Sequence, residues 1–386
     1  MSKWKTVKLG EVGVIITGNT PKTSDKENYL TNDISFYRPS DIVERNVSYL
    51  NSSEAYVSEV ARSKVRMLPK GSILVTCIGI IGKIGILEHE ATFNQQINAI
   101  IPNQDICLNR YIAYSIFFNR DRLRDIANAP VVPIVNKTQF SNMIIPLPPL
   151  EEQKHIADIL DKASNLIDLR KQQLEKMDLL IKSKFIEMFG DPVTNPKGWD
   201  VKTLADICSL ITDGTHQTPQ YVEEGYIFLS SKNVTTGKID WSNIKHISEN
   251  LHKELYKRLK PRKGDILLAK NGTTGIAAIV DKDVIFDIYV SLALLRPKQN
   301  VVSLYLLHGI NNFATKRQFD DSLKGIGVPN LHLNAIREVK LILPPAELQN
   351  QFAEFVEQVE KQKTVMQQSL EKMETNYKSL MQEYFG

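Results

Sequence analysis

The chain closes two of its segments with nearly the same phrase. KSKFIEMFG ends at Gly190, and KSLMQEYFG ends at Gly386, the last of 386 residues. Repetition at a fixed period limits the possible folds more than any propensity, because each copy must form the same unit. A shift of 196 aligns Leu174, Glu175, Lys176 and Met177 with Leu370, Glu371, Lys372 and Met373, Pro148-Pro149 with Pro344-Pro345, Gln153 with Gln349 and Pro133 with Pro329. A shift of 193 lays GSILVTCIGIIG from Gly71 on GDILLAKNGTTG from Gly264, and a shift of 195 pairs Trp4 with Trp199, Leu9 with Leu204 and Thr17 with Thr212. The chain is a tandem duplication with small insertions. Each copy has a globular part and a tail, which divides the chain at 1–150, 151–190, 191–345 and 346–386.

The tails are expected to be long helices. Alternating steps of four and three from Ile156 reach Ile156, Leu160, Ala163, Ile167, Arg170, Leu174, Met177, Ile181, Lys184 and Met188, eight of them apolar. The same frame in the second tail reaches Phe352, Val356, Val359, Lys363, Met366, Leu370, Met373, Tyr377, Leu380 and Tyr384, nine of them apolar. A 3.5-residue repeat held this long predicts a coiled-coil seam. The first tail carries the chain from one globular part to the other, so the second buries its stripe on the first only by running back. The expected fold is α/β: two duplicated α/β domains separated by two long helices in an antiparallel coiled coil, with pseudo-two-fold symmetry and a dumbbell outline.

Composition sets further bounds. Three cysteines without a CxxC pair, Cys77, Cys107 and Cys208, argue against a zinc site or a disulfide framework. The start MSKWKTVKLG lacks a signal-peptide core, and no stretch approaches the roughly 20 apolar residues that cross a bilayer, so a cytoplasmic chain without a membrane partner is expected. Charge is modular: residues 1–150 hold 17 basic against 13 acidic residues and 191–345 hold 20 against 16, whereas both tails are net acidic. Basic residues cluster before one apolar strand in each copy, as Arg62, Lys64, Arg66 and Lys70 and as Lys257, Arg258, Lys260, Arg262 and Lys263, with Lys64 and Lys70 falling on Lys257 and Lys263. A basic cluster at matched places predicts phosphate contact.

Each globular part alternates short apolar runs (SILVTCIG, INAII, DILLAK, IAAIV, SLALL) with polar loops. TGNTPKTS matches TDGTHQTPQ, YRPSDI matches LSSKNV, and CIGIIGK matches AKNGTTG. Framework residues agree between copies while loop side chains differ, as one scaffold reading two base sequences would require. The candidate DNA contacts in the first copy are Lys22, Arg38, Ser40, Lys64, Lys70, Lys83, Asn94 and Gln95. Those in the second are Thr215, His216, Gln217, Ser231, Lys232, Asn233, Lys257, Lys263, Lys270, Asn271, Thr273 and Asn330. Catalytic motifs are not found: the glycines around Gly82 lack dinucleotide or phosphate-loop spacing, the histidines form no HExxH, and no Asn-Pro-Pro-aromatic tetrad occurs. No metal site is expected, and no catalytic residue is assigned.

These features together resemble the DNA-specificity subunit of Type I restriction-modification systems over essentially the whole chain. The carriers are PLPPLEEQKHIADILD (146–161) with its partner LPPAELQNQFAEFVE (343–357), FIEMFGDPVTNPKGWDVKTLADI (185–207) and KGDILLAKNGTTG (263–275). The resemblance implies two target-recognition domains, each reading half of a split site in double-stranded DNA, and spacer helices that dock two modification (methyltransferase) subunits. It also implies restriction (nuclease-translocase) subunits in a larger complex. S-adenosylmethionine would be bound by the modification partner, with no cofactor in this chain. The first copy departs from the second at TCIGIIGK, where Ile80 and Ile81 replace Thr273 and Thr274. Alternatives are an orphan specificity subunit used for allele exchange, a structural coiled-coil adaptor, and a self-contained methyltransferase or nuclease.

Overall fold

The computed structural model describes residues 4–127, 132–323 and 329–386. It forms two compact units: Met1–Gln172 with Gln367–Gly386, and Gln173–Met366. Each unit joins one globular head to the start of one long helix and the end of the other.

The first head holds a five-stranded sheet in the order Gly13–Thr17, Ile97–Pro102, Ile73–Thr76, Ile84–Leu87, Val47–Leu50. Beside it are a three-stranded sheet, Ala55–Val57, Ile34–Tyr37 and Thr92–Phe93, and the pair Thr6–Lys8 with Ile144–Pro146. The second head repeats the plan with Cys208–Asp213, Leu292–Pro297, Ile266–Ala269 and Ala277–Ile279 in its main sheet. Its second sheet runs Tyr221–Val222, Lys245–Ile247, Tyr226–Leu229 and Phe286–Ile288, and Asp200–Thr203 pairs with Lys340–Leu343.

The central strands explain the unbroken apolar runs. Ile266 and Leu268 enter a core with Leu204, Leu295, Ile310 and Phe319, while Leu267 and Ala269 enter another with Leu229, Phe286 and Leu294. A strand covered on both faces has no polar side to alternate with. Register repeats too: Ile73 faces Ile100 and Thr76 faces Ile97, as Ile266 faces Leu295 and Ala269 faces Leu292. One alignment from sequence needs correction. The second head has a register shift between Cys208 and Leu210, and this bulge adds a residue. Thr17 opposite Asn98 therefore corresponds to Asp213 opposite Ala293, rather than to Thr212.

The long helices span Leu150–Phe189 and Ala346–Phe385, each about 60 Å at 1.5 Å per residue. All twenty positions of the seam frame are buried or half-buried. Leu160, Ile167, Ile181, Val356, Leu370 and Tyr377 are buried; Leu174, Met177, Met366 and Met373 are half-buried. Pairing is antiparallel within each unit. In the first, Lys171 bridges Glu374 at 2.8 Å while Phe385 reaches Tyr111 near the helix start. In the second, Asp178 pairs with Lys363, and Phe185 meets Phe352 at 5.5 Å.

Two repeated residue types fasten helix to head. Gln153 is buried, donating to the carbonyls of Pro148 (2.8 Å) and Ile106 (3.0 Å) and accepting from the Leu108 amide (2.9 Å). Gln349 donates to Pro344 (2.8 Å) and accepts from Val302 (2.9 Å). Its amide fixes the angle at which each helix leaves its head. The repeated closing phrase supplies the other fastening: Phe385 packs on Tyr111 (5.3 Å between centroids), as Phe189 packs on Tyr305 (5.0 Å). Both tyrosine hydroxyls donate to a carbonyl of the strand before a long helix, at Pro146 and Ile342.

His308 stands edge-on to Phe352 at 5.3 Å in the second unit. Burial pushes its imidazole down to about 4 despite the nearby carboxylates of Glu360 and Asp178; Lys363 adds to the lowering. The unfolded chain, with an ordinary histidine pKa near 6.5, takes up a proton that the folded unit refuses. Stability of this unit should therefore fall as pH drops from about 6.5 to about 4, by about 3 kcal/mol in all. Urea titration followed by the fluorescence of Trp199 and Trp241 checks this, and His308→Phe should flatten that part of the profile. An unchanged slope in the variant would contradict the assignment.

Candidate nucleic-acid interface

In each head the loops that sequence matching singled out meet at one place, the C-terminal end of the central strand. Backbone hydrogen bonds bring them there. In the first head, the amide of Asn19 donates to Phe93 (3.1 Å), Asn94 to Tyr37 (3.1 Å), Cys77 to Gln96 (2.8 Å), Gly79 to Pro133 (3.1 Å) and Val135 to Cys77 (2.9 Å). In the second, Thr215 donates to Ile288 (3.1 Å), Tyr289 to Leu229 (2.9 Å), Lys270 to Ser291 (2.9 Å), Gly272 to Pro329 (3.1 Å) and Leu331 to Lys270 (2.8 Å). Donor and acceptor correspond bond for bond. Because the bonds use main-chain groups, they constrain loop path without constraining side-chain identity.

Side chains reinforce the frame at matched places. The guanidinium of Arg66 donates to the Thr17 carbonyl, and that of Arg258 donates to the Asp213 carbonyl at 3.0 Å. Asp41 accepts from the Arg38 amide (2.6 Å), as Asn233 accepts from the Ser230 amide (2.9 Å), closing the second loop in both heads. Gly79 and Gly82 have φ of +76° and +85°, and Gly272 and Gly275 have +77° and +80°. The third loop turns through left-handed backbone that glycine adopts without a Cβ clash.

The candidate contacts divide by burial. Lys22, Arg38, Ser40 and Gln95 in the first head, and His216, Gln217, Lys232, Thr273 and Asn330 in the second, are exposed on this crown of loops. Thr215, Ser231 and Asn271 are half-buried. The Ser231 amide donates to the Ser291 hydroxyl (3.0 Å), while Asn271 bridges to Asn330 and has a buried side-chain oxygen without a hydrogen-bond partner among the described residues.

Other candidates turn inward. Asn94 is buried, exchanging hydrogen bonds with Gln96 at 2.9 and 3.1 Å; Asn233 is buried, donating to the Asn243 carbonyl (2.9 Å). Lys83 is half-buried, its ammonium on the Pro39 carbonyl (2.9 Å), which ties the third loop to the second. Lys64 stays exposed but is tied down: it bridges Asp25 (2.7 Å) and donates to Asn28 (2.8 Å), holding the Asp25 carboxyl below the usual carboxylate range. These side chains support the loops that were expected to carry them to DNA.

The basic cluster is not one patch. Arg66 and Arg258 latch the crown, and exposed Lys257 is one residue from Arg258. Lys70 and Lys263 precede the strands Ile73–Thr76 and Ile266–Ala269, so they stand a whole strand away, on the order of 10 Å or more from the crown. Sequence reasoning grouped them because they are close along the chain. It also missed the latching role of Arg66 and Arg258, whose only signal was the presence of an arginine within each cluster.

Beneath the shared frame, the two heads differ. Lys270 and Asp213 form a buried ion pair at 2.6 Å in the second head, and exposed His216 stands 3.4 Å from the other Asp213 oxygen. The matched positions in the first head hold Cys77, whose thiol burial pushes up to about 11, and Thr17, whose hydroxyl donates to Asn98 at 2.6 Å. One head fills this site with a charge pair and the other with neutral groups. Lys270→Met should destabilise the second head by about 3–5 kcal/mol by leaving Asp213 buried without its partner. The double change Asp213→Thr with Lys270→Cys, which installs the first head's residues, should recover most of that. Urea midpoints measure both, and a single variant within about 1 kcal/mol of the parent would contradict a buried pair.

Comparison with known proteins places this architecture. A family model described as the Type I restriction modification DNA specificity domain matches residues 1–178 and again residues 196–375. The chain is 29% identical to the Type I restriction enzyme MjaIX specificity subunit of Methanocaldococcus jannaschii, over 92% of this chain and 86% of that one. It is 25% identical to the MjaVIII specificity subunit of the same organism, over 98% and 91%. In fold it is similar to the S subunit of a Type-I restriction-modification system from M. genitalium, with a TM-score of 0.61 at 12% identity, covering 100% of this chain and 96% of that one. Matched by the family model in both of its halves, the chain belongs to the Type I restriction-modification DNA-specificity family.

Proposed function

We propose that this chain is the DNA-binding specificity subunit of a Type I restriction-modification complex, each crown reading one half of a bipartite site in double-stranded DNA. One observation carries the reading: two crowns share a backbone frame bond for bond while presenting different outward side chains. A frame fixed by main-chain bonds holds donors and acceptors still enough to discriminate base edges, and exchange of tip residues changes what is read. Lys22, Arg38, Ser40 and Gln95 would serve the first half-site; His216, Gln217, Lys232, Thr273 and Asn330 the second.

The long helices space the two crowns and dock two modification subunits, with restriction subunits joining the larger assembly. The chain itself is non-catalytic in this reading and holds no cofactor, S-adenosylmethionine being bound by the modification partner. None of the described helices is long and apolar enough to cross a membrane. In this reading the complex works on DNA in the cytoplasm. Co-expression with the modification subunit, followed by mapping of methylated bases in the genome, tests the reading. Methylation confined to one split sequence is expected; methylation without a split sequence, or none, would overturn it.

The placement of the lysines gives a sharper expectation. Lys257→Ala should weaken binding on every sequence and lower the slope of log affinity against log salt by about 0.9, the loss of one phosphate contact. Lys70→Ala and Lys263→Ala, at the far ends of their strands, should leave the slope unchanged. Binding titrations over a range of salt concentrations decide; a slope lowered by Lys263→Ala would place DNA at the other end of the head.

A further inference from the structure

The third loop of the first head has a tip that no hydrogen-bonding code explains. Ile80 is 53% exposed, whereas Ile81 beside it is 3% exposed and packed inside. The second head repeats this division, with Thr273 outside and Thr274 inside at 6% exposure. Of the two isoleucines that set this loop apart in sequence, one is therefore a core residue. The other occupies the outward position that carries a polar side chain in the sister crown.

A scattered exposed isoleucine is ordinary on a protein surface. Ile80 differs because its loop is held from several sides. The Gly79 amide donates to Pro133 (3.1 Å), the Gly82 amide to Thr76 (2.9 Å), and the Thr76 hydroxyl to the carbonyl of Ile80 itself (2.6 Å). Lys83 ties the loop to Pro39, between Arg38 and Ser40, and Ile78 bridges to Ile134, which is 40% exposed. An ordered, outward, aliphatic side chain stands among groups able to contact phosphate and base edges.

We infer that Ile80 is a specificity-determining residue that reads the 5-methyl group of a thymine in the first half-site. The inference rests on the DNA-reading role proposed above. An aliphatic side chain offers neither donor nor acceptor, and among the groups that base pairs display in the major groove, the thymine methyl is the one an apolar contact recognises. Thr273 at the matched position carries a hydroxyl, which adds a hydrogen-bonding group that Ile80 lacks. The two heads thus read through different chemistry at one position of one frame.

Deoxyuridine provides the test, because it removes the methyl group and keeps the pairing. The full chain, assembled with its modification subunits, is titrated with duplexes in which each thymine of the first half-site, on either strand, is replaced in turn. One replacement should weaken binding about fourfold, the worth of a single buried methyl-sized group. With Ile80→Ser, which has no side-chain methyl to offer, that replacement should cost nothing further, while thymines of the second half-site behave as in the parent. The inference is overturned if no replacement matters, if the loss persists in Ile80→Ser, or if the first half-site contains no A·T pair. A uniform loss on all duplexes with Ile80→Ser, independent of the methyl, would also overturn it and indicate an apolar wedge between base steps. Complete absence of sequence-specific binding would instead refute the underlying DNA-reading role, so the two failures are distinguishable.

Discussion

Ten backbone hydrogen bonds, five in each head, hold the loops of the two crowns together. Loops that must present different side chains cannot depend on those side chains for their shape. Main-chain amides and carbonyls are the groups that every residue but proline supplies in full, so a frame built from them survives substitution at the tips. Even where proline enters, at Pro133 and Pro329, it serves as an acceptor through its carbonyl. The side chains drawn into the frame, Arg66 and Arg258, also grip carbonyls rather than other side chains. The buried interior then varies freely, with Lys270 and Asp213 in one head and Cys77, Thr17 and Asn98 in the other.

The same logic operates where head meets helix, but there the groups are conserved between copies. Gln153 and Gln349 use both ends of a buried amide to clamp the start of a long helix. Phe189 and Phe385 place a terminal aromatic ring against a tyrosine whose hydroxyl is already engaged. A junction that sets helix direction must be stereotyped, whereas a recognition surface must not. That contrast explains why the closing phrase is repeated while the tips of the loops are not.

Much of this was legible in the sequence. The repeat, the seam and the apolar strands follow from periodicity, which reports burial directly: all twenty seam positions avoid full exposure. The crown was legible as a set of loops but not as a set of side-chain directions. Asn94 and Asn233 look like base readers in a polar stretch, yet each turns back to close its own loop. Lys270 looks like a phosphate contact until the partner carboxylate, 57 residues away in the chain, is placed beside it. Lys70 and Lys263 were grouped with the latching arginines by closeness in sequence, although they stand before the start of a strand whose other end carries the crown. Pairwise geometry of this kind leaves no local trace, and the one-residue bulge near Cys208 shifts the alignment just where the crown begins.

The central claim is that one frame carries interchangeable readers. Replacing residues 17–24, 37–42, 77–83, 93–96 and 133–135 of the first head by residues 213–220, 229–234, 270–276, 288–291 and 329–331, segments of equal length that move the Asp213–Lys270 pair together, tests it in a single chimaera. Methylation mapping of that chimaera with its modification subunit should show the first half-site converted to the sequence of the second, with the second unchanged. A folded, active chimaera that still marks the original first half-site would contradict the account.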